Sequence, residues 1–168
     1  MVWVCDLNKT RLDKAAMPYP NIKRTTNLND ILNDNTIKAV AIATSVDSHF
    51  HIAKACLEKG KHVLIEKPLA SNISQGEELV NLAKRRKLNL MCDHTFCYTG
   101  AVRKMKQIIN DEELGELLYF DSVRINLGLF QHDVNVVWDL APHDLSILDF
   151  LIKKSPVRIN THDLTPLT

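Results

Sequence analysis

Short apolar runs alternate with longer amphipathic segments over the first 94 residues of the chain. Short apolar runs are typical of buried strands, and apolar residues spaced three and four apart are typical of helices. The pattern predicts strands at about residues 2–5, 22–25, 39–43, 62–65 and 88–92. It predicts helices at about residues 8–16, 28–32, 47–59 and 74–87. This alternation favours an α/β fold with a parallel, right-handed, doubly wound sheet.

Two sequence signals mark the ends of predicted helices. Gly60 follows the helix at 47–59, and a glycine in this position is typical of a helix stop. Ser74 and Glu77 have the spacing of a capping box, which predicts that the next helix begins near Ser74.

The rhythm changes after Asp93, and we predict a domain boundary near residue 94. The remaining sequence predicts a helix over about 99–110, a long strand over 117–129, a helix over 140–152 and a strand over 157–161. This second part is interpreted as α+β, with a sheet too small to close on its own. The chain is therefore expected to divide into residues 1–94 and residues 95–168.

The composition is that of an ordinary globular protein. Hydrophobic residues make up 45% of the sequence and charged residues 24%, which argues against a disordered or fibrous chain. The 21 basic and 20 acidic residues leave a net charge of +1, so no surface for nucleic acid is expected. No apolar run approaches the roughly 20 residues that a membrane helix needs, so we expect neither a membrane segment nor export.

The spacing of cysteine and histidine indicates reduced thiols and no metal. The four cysteines, at positions 5, 56, 92 and 97, form no CxxC pair and lie mostly in apolar runs. Such thiols are typical of a cytoplasmic protein. His49 and His51 would point to opposite sides of a helix, so no metal site is expected.

Polar residues follow the predicted strands at the edge where open α/β sheets bind ligands. They are Asp6, Thr44, Ser45, Glu66, Lys67, Asp93 and His94. An aspartate at the end of an early strand can accept hydrogen bonds from the ribose hydroxyls of NAD, and it repels the 2′-phosphate of NADP. Asp6 could equally be the N-cap of the helix that starts near Asn8.

The tripeptide Glu66-Lys67-Pro68 closes a predicted strand with two opposite charges and a proline whose preceding peptide bond can be cis. A lysine at a strand end can polarise a substrate hydroxyl or lower the pKa of a neighbouring base. The tripeptide is also compatible with an ordinary surface turn.

Asp139 and His143 lie one helical turn apart, and Ser146 lies about one turn further on. We predict that these three residues face away from a core side formed by Leu145, Leu148 and Ile152. Histidine is suited to general acid/base chemistry, but His143 could also be a structural histidine. Asp139 could be a helix N-cap.

Taken in order, these motifs resemble the Gfo/Idh/MocA family of NAD(P)-dependent oxidoreductases over essentially the whole chain. The motifs are Asp6 at a strand end, Thr44 followed by His49, the stretch GKHVLIEKPLA at 60–70, and Asp139-x-x-x-His143. The resemblance implies that residues 1–94 are a dinucleotide-binding Rossmann domain lacking its first strand and glycine loop. It implies that residues 95–168 are an incomplete C-terminal substrate and catalytic domain, which in the family often carries a dimer interface.

The resemblance also assigns roles to individual residues. It implies that Lys67 lies beside the nicotinamide and the substrate, that His143 is the acid/base, and that Asp139 is the acidic residue of its motif. The predicted catalytic residues are therefore Lys67, His143 and Asp139. Asp139 could hold the imidazole in the right tautomer or accept a hydrogen bond from a second sugar hydroxyl. It places Thr44, His49 and Glu66 where the family lines the cofactor cleft. The full set of cofactor-binding candidates is Asp6, Thr44, Ser45, His49, Glu66, Lys67 and His94. The implied cofactor is NAD rather than NADP.

The stretch NVVWDLAPHDLS at 135–146 is most similar to the branch of the family that acts on nucleotide sugars, such as UDP-N-acetylglucosamine 3-dehydrogenase-like enzymes. His94-Thr95-Phe96-x-Tyr98 and Asn126-Leu127-Gly128 are similar to the same branch. The implied function is hydride transfer between the carbinol of a sugar, a nucleotide sugar in particular, and NAD, in a homo-oligomer. Two alternatives stay open, a non-catalytic dinucleotide-binding regulator and an inactive fragment of such an enzyme.

Overall fold

The computed structural model describes residues 2–124 and 135–162. These residues form the strands β1 (Trp3–Cys5), β2 (Lys23–Thr25), β3 (Ala39–Ile42), β4 (His62–Glu66) and β5 (Leu90–Asp93). The helices are α1 (Lys9–Ala16), α2 (Leu28–Asn33), α3 (Val46–Glu58), α4 (Ile73–Arg86), α5 (Gly100–Asn110) and α6 (Val136–Ile152). A 3₁₀-helix (Thr95–Tyr98) lies between β5 and α5. Every strand and helix predicted before residue 94 is present, with ends that differ by one or two residues.

All pairs among these strands are parallel, which confirms the predicted α/β class. β3, β4 and β5 form one sheet in that order, with Ala39 paired to His62 and Val63 paired to Leu90. β1 pairs with β2 in a second sheet. Among the described residues, no strand is hydrogen-bonded between β1 and β3, so the two groups of parallel strands are not joined into one sheet.

The chain divides into two compact units. The first contains the residues up to Asp93 together with the start of α6 through Asp139. The second contains the described residues from His94 to Arg124 and those from Leu140 onward. Helix α6 therefore contributes its first turn to one unit and the rest of its length to the other.

The core of the first unit lies where α3 and α4 pack on one face of the three-stranded sheet. Val63 and Ile65 of β4 point into this core, whereas Leu64 between them is 39% exposed. Successive side chains of a strand point to opposite faces, so the helices cover one face of β4 only. The other buried members of the core are Leu32, Ile42, Ala53, Cys56, Leu57, Leu79, Leu82 and Ala83. Burying a leucine or isoleucine of this kind stabilises a fold by about 1.5–3 kcal/mol.

The helix termini confirm one predicted signal and correct another. Gly60 follows Lys59, the C-cap of α3, and has a left-handed φ of 74°, as its predicted role as a helix stop requires. The capping box at Ser74 and Glu77 is wrong, because α4 begins at Ile73 and Asn72 is its N-cap. The Asn72 side chain accepts a hydrogen bond from Gln75 N at 3.0 Å, which is the contact that an N-cap makes with the third residue of its helix.

The second unit departs from the predicted strands. Residues 117–124, the described part of the strand expected at 117–129, form no strand, and neither do residues 157–161. A strand is stabilised by a hydrogen-bonded partner, and neither segment has one among the described residues. The remaining residues of the 117–129 prediction, including Asn126-Leu127-Gly128, lie outside the described residues.

Helix α6 begins four residues earlier than expected and buries a different face. Leu145, which we predicted to face the core, is 62% exposed, whereas Leu151 is 3% exposed. On a helix His143 lies closer to the side of Leu151 than Leu145 does, so His143 is half-buried rather than turned away from the packed side. The predicted core side of this helix is therefore wrong at Leu145, whereas Leu148 and Ile152 are half-buried.

Each of the four cysteines is a free thiol. Cys56 is fully buried, and burial raises the pKa of its thiol to about 11. Across residues 2–124 and 135–162, no helix combines the length and the apolar character that crossing a bilayer requires.

Candidate functional site

The carboxyl ends of β4 and β5 place a group of ionisable side chains along one edge of the three-stranded sheet. Glu66 and Asp93 are register partners at this edge, and Lys67 follows Glu66 directly. Cys92 lies beside them, and burial followed by the carboxylates of Asp93 and Glu66 raises the pKa of its thiol to about 11. This is the edge at which the sequence predicted a ligand site, and the lysine is its basic group.

Lys67 and Asp139 form an ion pair in the first unit. Lys67 Nζ donates to Asp139 Oδ1 at 2.5 Å and to the backbone oxygen of Asp139 at 3.1 Å. Each side chain is 21% exposed, so the pair is partly shielded from water. Trp138 Nε1 donates to the oxygen of Ala70 at 2.9 Å, which ties the same turn of α6 to the chain that follows Lys67. The peptide bond between Lys67 and Pro68 is cis.

This pairing joins two motifs that sequence reasoning had treated separately. Asp139 is not a helix N-cap, because α6 begins at Val136 and Asn135 Oδ1 accepts from Trp138 N at 2.8 Å. Instead, Asp139 uses two oxygens to hold the Lys67 ammonium, which has three N–H groups in all. The carboxylate attracts the ammonium by charge, and the two hydrogen bonds fix the direction in which the lysine side chain points.

His143 lies in the second unit, one turn after Asp139 along α6. Its ring meets the ring of Phe96 edge to face, with centroids 4.8 Å apart and planes at 76°. Ser146 Oγ donates to the backbone oxygen of His143 at 2.8 Å, so the serine bonds the helix rather than the imidazole. Phe96 therefore contributes to fixing the orientation of the His143 ring.

A charged cluster lies next to His143 in the same unit, and sequence reasoning missed it. Arg124 donates to both carboxylate oxygens of Asp144, at 2.7 and 3.0 Å, and Ser122 Oγ donates to Oδ1 at 2.9 Å. The hydrogen bonds from Arg124 lower the pKa of Asp144, and Ser122 adds to the effect. The Arg124 guanidinium also lies 5.0 Å from the Phe96 ring centroid. The adjacency of Asp144 to His143 was the one sequence signal for this cluster.

His49 lies inside the first unit and braces two loops. It is 1% exposed, with Nδ1 2.9 Å from the oxygen of Pro68 and Nε2 3.0 Å from the oxygen of Thr44. Both ring nitrogens lie within hydrogen-bond distance of backbone oxygens in the loops that follow β3 and β4. These contacts join the loop after β3 to the loop after β4, and they hold in place the segment that contains Lys67 and Pro68. The expected place of His49 in the lining of the cofactor cleft stays a prediction.

The other candidates lie at the ends of β3 and β5. Thr44 and Ser45 are exposed after β3, with Ser45 at the N-cap position of α3. Thr44 Oγ1 lies 2.6 Å from Ser48 Oγ, which in turn donates to the oxygen of Ser45 at 2.7 Å. His94 follows β5 and belongs to the second unit. Within the described ranges, no three His, Cys, Asp or Glu side chains gather as a metal-binding group would.

Asp6 follows β1 and is bound by its own loop. Asp6 Oδ1 accepts from Asn8 N at 2.7 Å and from Arg11 Nη2 at 3.0 Å, while Oδ2 accepts from Arg11 Nε at 2.9 Å. The hydrogen bonds from Arg11 and then from Asn8 lower the pKa of this carboxyl. The N-cap alternative for Asp6 is wrong, since Asn8 is the residue that caps α1, accepting from Arg11 N at 3.1 Å. Asp6 is therefore an ionised carboxylate at a strand end.

The fold and these residues were compared with known proteins. Residues 1–94 match the Gfo/Idh/MocA family, described as an oxidoreductase family with an NAD-binding Rossmann fold. The oxidoreductase YhhX of Escherichia coli is 36% identical over 110 residues, covering 66% of this chain and 32% of its own length. A solved structure of YhhX gives a TM-score of 0.76 at 28% identity and covers 90% of this chain and 46% of that one. The chain spans 30% to 40% of the length of the first curated relatives that it matches.

Two further relatives carry a substrate in their names. UDP-N-acetylglucosamine 3-dehydrogenase of Acidithiobacillus ferrooxidans is 28% identical over 135 residues, covering 79% of this chain and 41% of its own length. The scyllo-inositol 2-dehydrogenase (NADP(+)) IolW of Bacillus subtilis is 23% identical over 129 residues, covering 77% of this chain and 35% of its own length.

Parallel strands joined by helices give the first unit a Rossmann-type α/β fold. The chain belongs to the Gfo/Idh/MocA family, as the match over residues 1–94 shows.

Proposed function

We propose that the intact protein is a dehydrogenase that transfers a hydride between the carbinol of a sugar and NAD, with a nucleotide sugar as the preferred substrate. The observation that carries this proposal is the Lys67–Asp139 pair, which presents an oriented ammonium at the carboxyl edge of the sheet. A surface turn would not need a carboxylate from a segment 72 residues away. The family match supports the oxidoreductase class.

In this proposal, three residues have separate roles in the reaction of the substrate. Lys67 directs an N–H toward the carbinol oxygen and polarises it, because two of its three N–H groups are held by Asp139. His143 accepts the hydroxyl proton as a general base. Asp139 is a positioning residue that fixes Lys67. NAD, when bound, supplies the hydride acceptor.

The residues at the strand ends fit a dinucleotide. Asp6 is ionised and 29% exposed at the end of β1, where a carboxylate can accept hydrogen bonds from two ribose hydroxyls. Thr44, Ser45, Glu66 and His94 are further groups that we propose for cofactor contacts. His49 supports them indirectly through the oxygens of Thr44 and Pro68.

Two observations support the proposal of a nucleotide sugar, namely one relative and the resemblance of residues 135–146. The Acidithiobacillus relative named for UDP-N-acetylglucosamine matches over 79% of this chain. The Bacillus relative is named for scyllo-inositol, which is also a ring that bears hydroxyls. We therefore propose a cyclic carbinol as the general class and a nucleotide sugar as its specific form.

Two further proposals concern the setting of the protein. Four free thiols are typical of a reducing compartment, so we propose a cytoplasmic location. We propose a homo-oligomer for the intact protein, on the basis of the family resemblance.

The intact protein is expected to use NAD with a higher kcat/KM than NADP, because the Asp6 carboxylate repels a 2′-phosphate. The measurement is a comparison of initial rates with the two cofactors at saturating sugar substrate. Asp6→Asn should reduce or reverse the preference, since it removes the charge and keeps the size of the side chain. A higher kcat/KM with NADP in the unaltered protein would remove Asp6 from the ribose role.

A further inference from the structure

Arg124 contacts two residues that adjoin the proposed base, one in space and one in sequence. Its guanidinium lies over the Phe96 ring, 5.0 Å from the centroid, and the Phe96 ring meets the His143 imidazole edge to face. Through Nε and Nη2 the same guanidinium donates to both carboxylate oxygens of Asp144, the residue after His143. These contacts form a path that leaves α6 at Asp144 and returns to α6 at His143.

The ion pair fixes the plane of the guanidinium as well as its position. Two parallel hydrogen bonds join Arg124 to Asp144, and Ser122 Oγ donates a third hydrogen bond to the carboxylate. The hydrogen bonds from Arg124 lower the pKa of Asp144, so this carboxyl stays ionised. The side chains of the pair are 26% and 24% exposed, so water has limited access to them. A lysine ammonium would supply the charge but would not define a plane.

A guanidinium held in this way orients Phe96. The face of an aromatic ring attracts a cation, and a planar guanidinium can also stack on the ring. Because consecutive helical side chains point about 100° apart, Asp144 and His143 project in different directions from α6. Arg124 and Phe96 therefore carry the constraint from the ion pair to the imidazole.

We propose that Arg124 is a positioning residue for proton transfer, anchored by Asp144 and acting on His143 through Phe96. It fixes the imidazole in the orientation from which Nδ1 or Nε2 accepts the hydroxyl proton of the substrate. This inference rests on the proposed function, because it takes His143 to be the general base. It assigns a role in turnover to an ion pair that the proposed mechanism does not otherwise use.

Kinetics of Arg124 variants in the intact protein test this role. The assay uses NAD and whichever of UDP-N-acetylglucosamine, a free sugar or an inositol gives the highest turnover. Arg124→Ala should lower kcat by roughly 10-fold to 10²-fold, the loss that follows when a reacting group is displaced by up to about 1 Å. The KM for the carbinol substrate should stay nearly unchanged, because a misaligned base weakens the transition state alone.

Two matched variants separate geometry from charge. Arg124→Lys keeps the charge but loses the two parallel hydrogen bonds, so it should recover only part of the lost kcat. Arg158→Ala removes the same charge from an exposed position of the second unit and should change neither kcat nor KM.

The decisive comparison is made in the His143→Ala background. If Arg124 acts only through His143, adding Arg124→Ala to His143→Ala should cause no further fall in the single-turnover rate. A residue that binds the substrate would lower the rate by the same factor in both backgrounds. A residue that only stabilises the fold would lower neither rate per folded molecule. Arg124→Gln, which also removes the charge, replaces Arg124→Ala in both backgrounds if the alanine variant does not fold.

The outcomes distinguish this inference from the proposed function. Equal losses in the two backgrounds, a raised KM without a fall in kcat, or a kcat equal to that of Arg158→Ala would overturn the role of Arg124. Each of these results would leave the dehydrogenase proposal standing. No hydride transfer by the unaltered protein with any of the substrates would overturn both.

Discussion

Replacing His143 with alanine is expected to lower kcat by roughly 10² to 10⁴, the usual contribution of a positioned general base, while NAD affinity changes little. The reason is that His143 accepts the substrate proton in the proposed mechanism and has no part in holding the dinucleotide. Its ring is oriented by Phe96, and a structural histidine in the same place would affect stability instead. The measurement is kcat per folded molecule, with the folded fraction taken from circular dichroism.

His51→Ala provides the matched control for this prediction. His51 is exposed on α3 and has no proposed contact with the substrate or the cofactor. Its removal should leave kcat unchanged. When kcat/KM is measured against pH, the unaltered protein should lose activity at low pH as the base becomes protonated. This decline should be absent in His143→Ala, and loss of packing alone would not remove it. Near-normal turnover in folded His143→Ala would end the assignment of His143 as the base.

Replacing Lys67 with alanine is expected to lower kcat by roughly 10² to 10³, as expected when one donor to a developing oxyanion is removed. Asp139→Asn should produce a smaller loss, because the ammonium remains but is no longer held by a carboxylate. Lys84→Ala, in the exposed last turn of α4, removes the same charge and should have no effect on turnover. Lys67→Arg keeps the charge but changes its geometry, and it should recover only part of the activity.

Combining the variants tests whether Lys67 and His143 act on one substrate oxygen. If they do, the double alanine variant should lose less than the product of the two single losses. Fully multiplicative losses would show that the two residues contribute independently, which would contradict a shared action on one oxygen. A kcat in Lys67→Ala equal to that of the Lys84 control would remove Lys67 from the mechanism.

Local features of the first unit were predictable because each depends on a few neighbouring residues. The run around Val63 and Ile65 is flanked by Gly60 and by a polar strand end, so its type and limits follow from sequence alone. The position of Lys67 at the sheet edge follows in the same way. Alternation along β4 also accounts for the exposure of Leu64.

Contacts between distant segments were not predictable from periodicity. Lys67 and Asp139 are 72 residues apart, and no local pattern links a strand end to the first turn of a helix that far along the chain. Lys61 shows the same limit, since it is 2% exposed and donates to the oxygens of Asp34 and Ile37. From its local sequence alone, a lysine is expected at the surface. Only the fold supplies the carbonyl oxygens that allow Lys61 to be buried.

Errors in the second unit and at α4 have different physical origins. Residues 117–124 have strand-like composition, but composition does not supply a pairing partner. Ser74 fits a capping pattern, but Asn72, two residues before Ser74, caps the helix by accepting from Gln75 N. The first error therefore concerns a pairing partner that local composition does not supply, and the second concerns a choice between two nearby residues that can both cap a helix.

Transfer of deuterium from substrate to cofactor in a single turnover is the most direct test of the central claim. The intact protein is mixed with NAD and with UDP-N-acetylglucosamine deuterated at its ring carbinol carbons, and the nicotinamide is analysed by mass spectrometry. The account predicts that deuterium appears in the reduced nicotinamide, and that Lys67→Ala and His143→Ala slow its appearance. Binding of NAD with no deuterium transfer, from this substrate or from deuterated sugars and inositols, would contradict the account and favour a non-catalytic dinucleotide-binding protein.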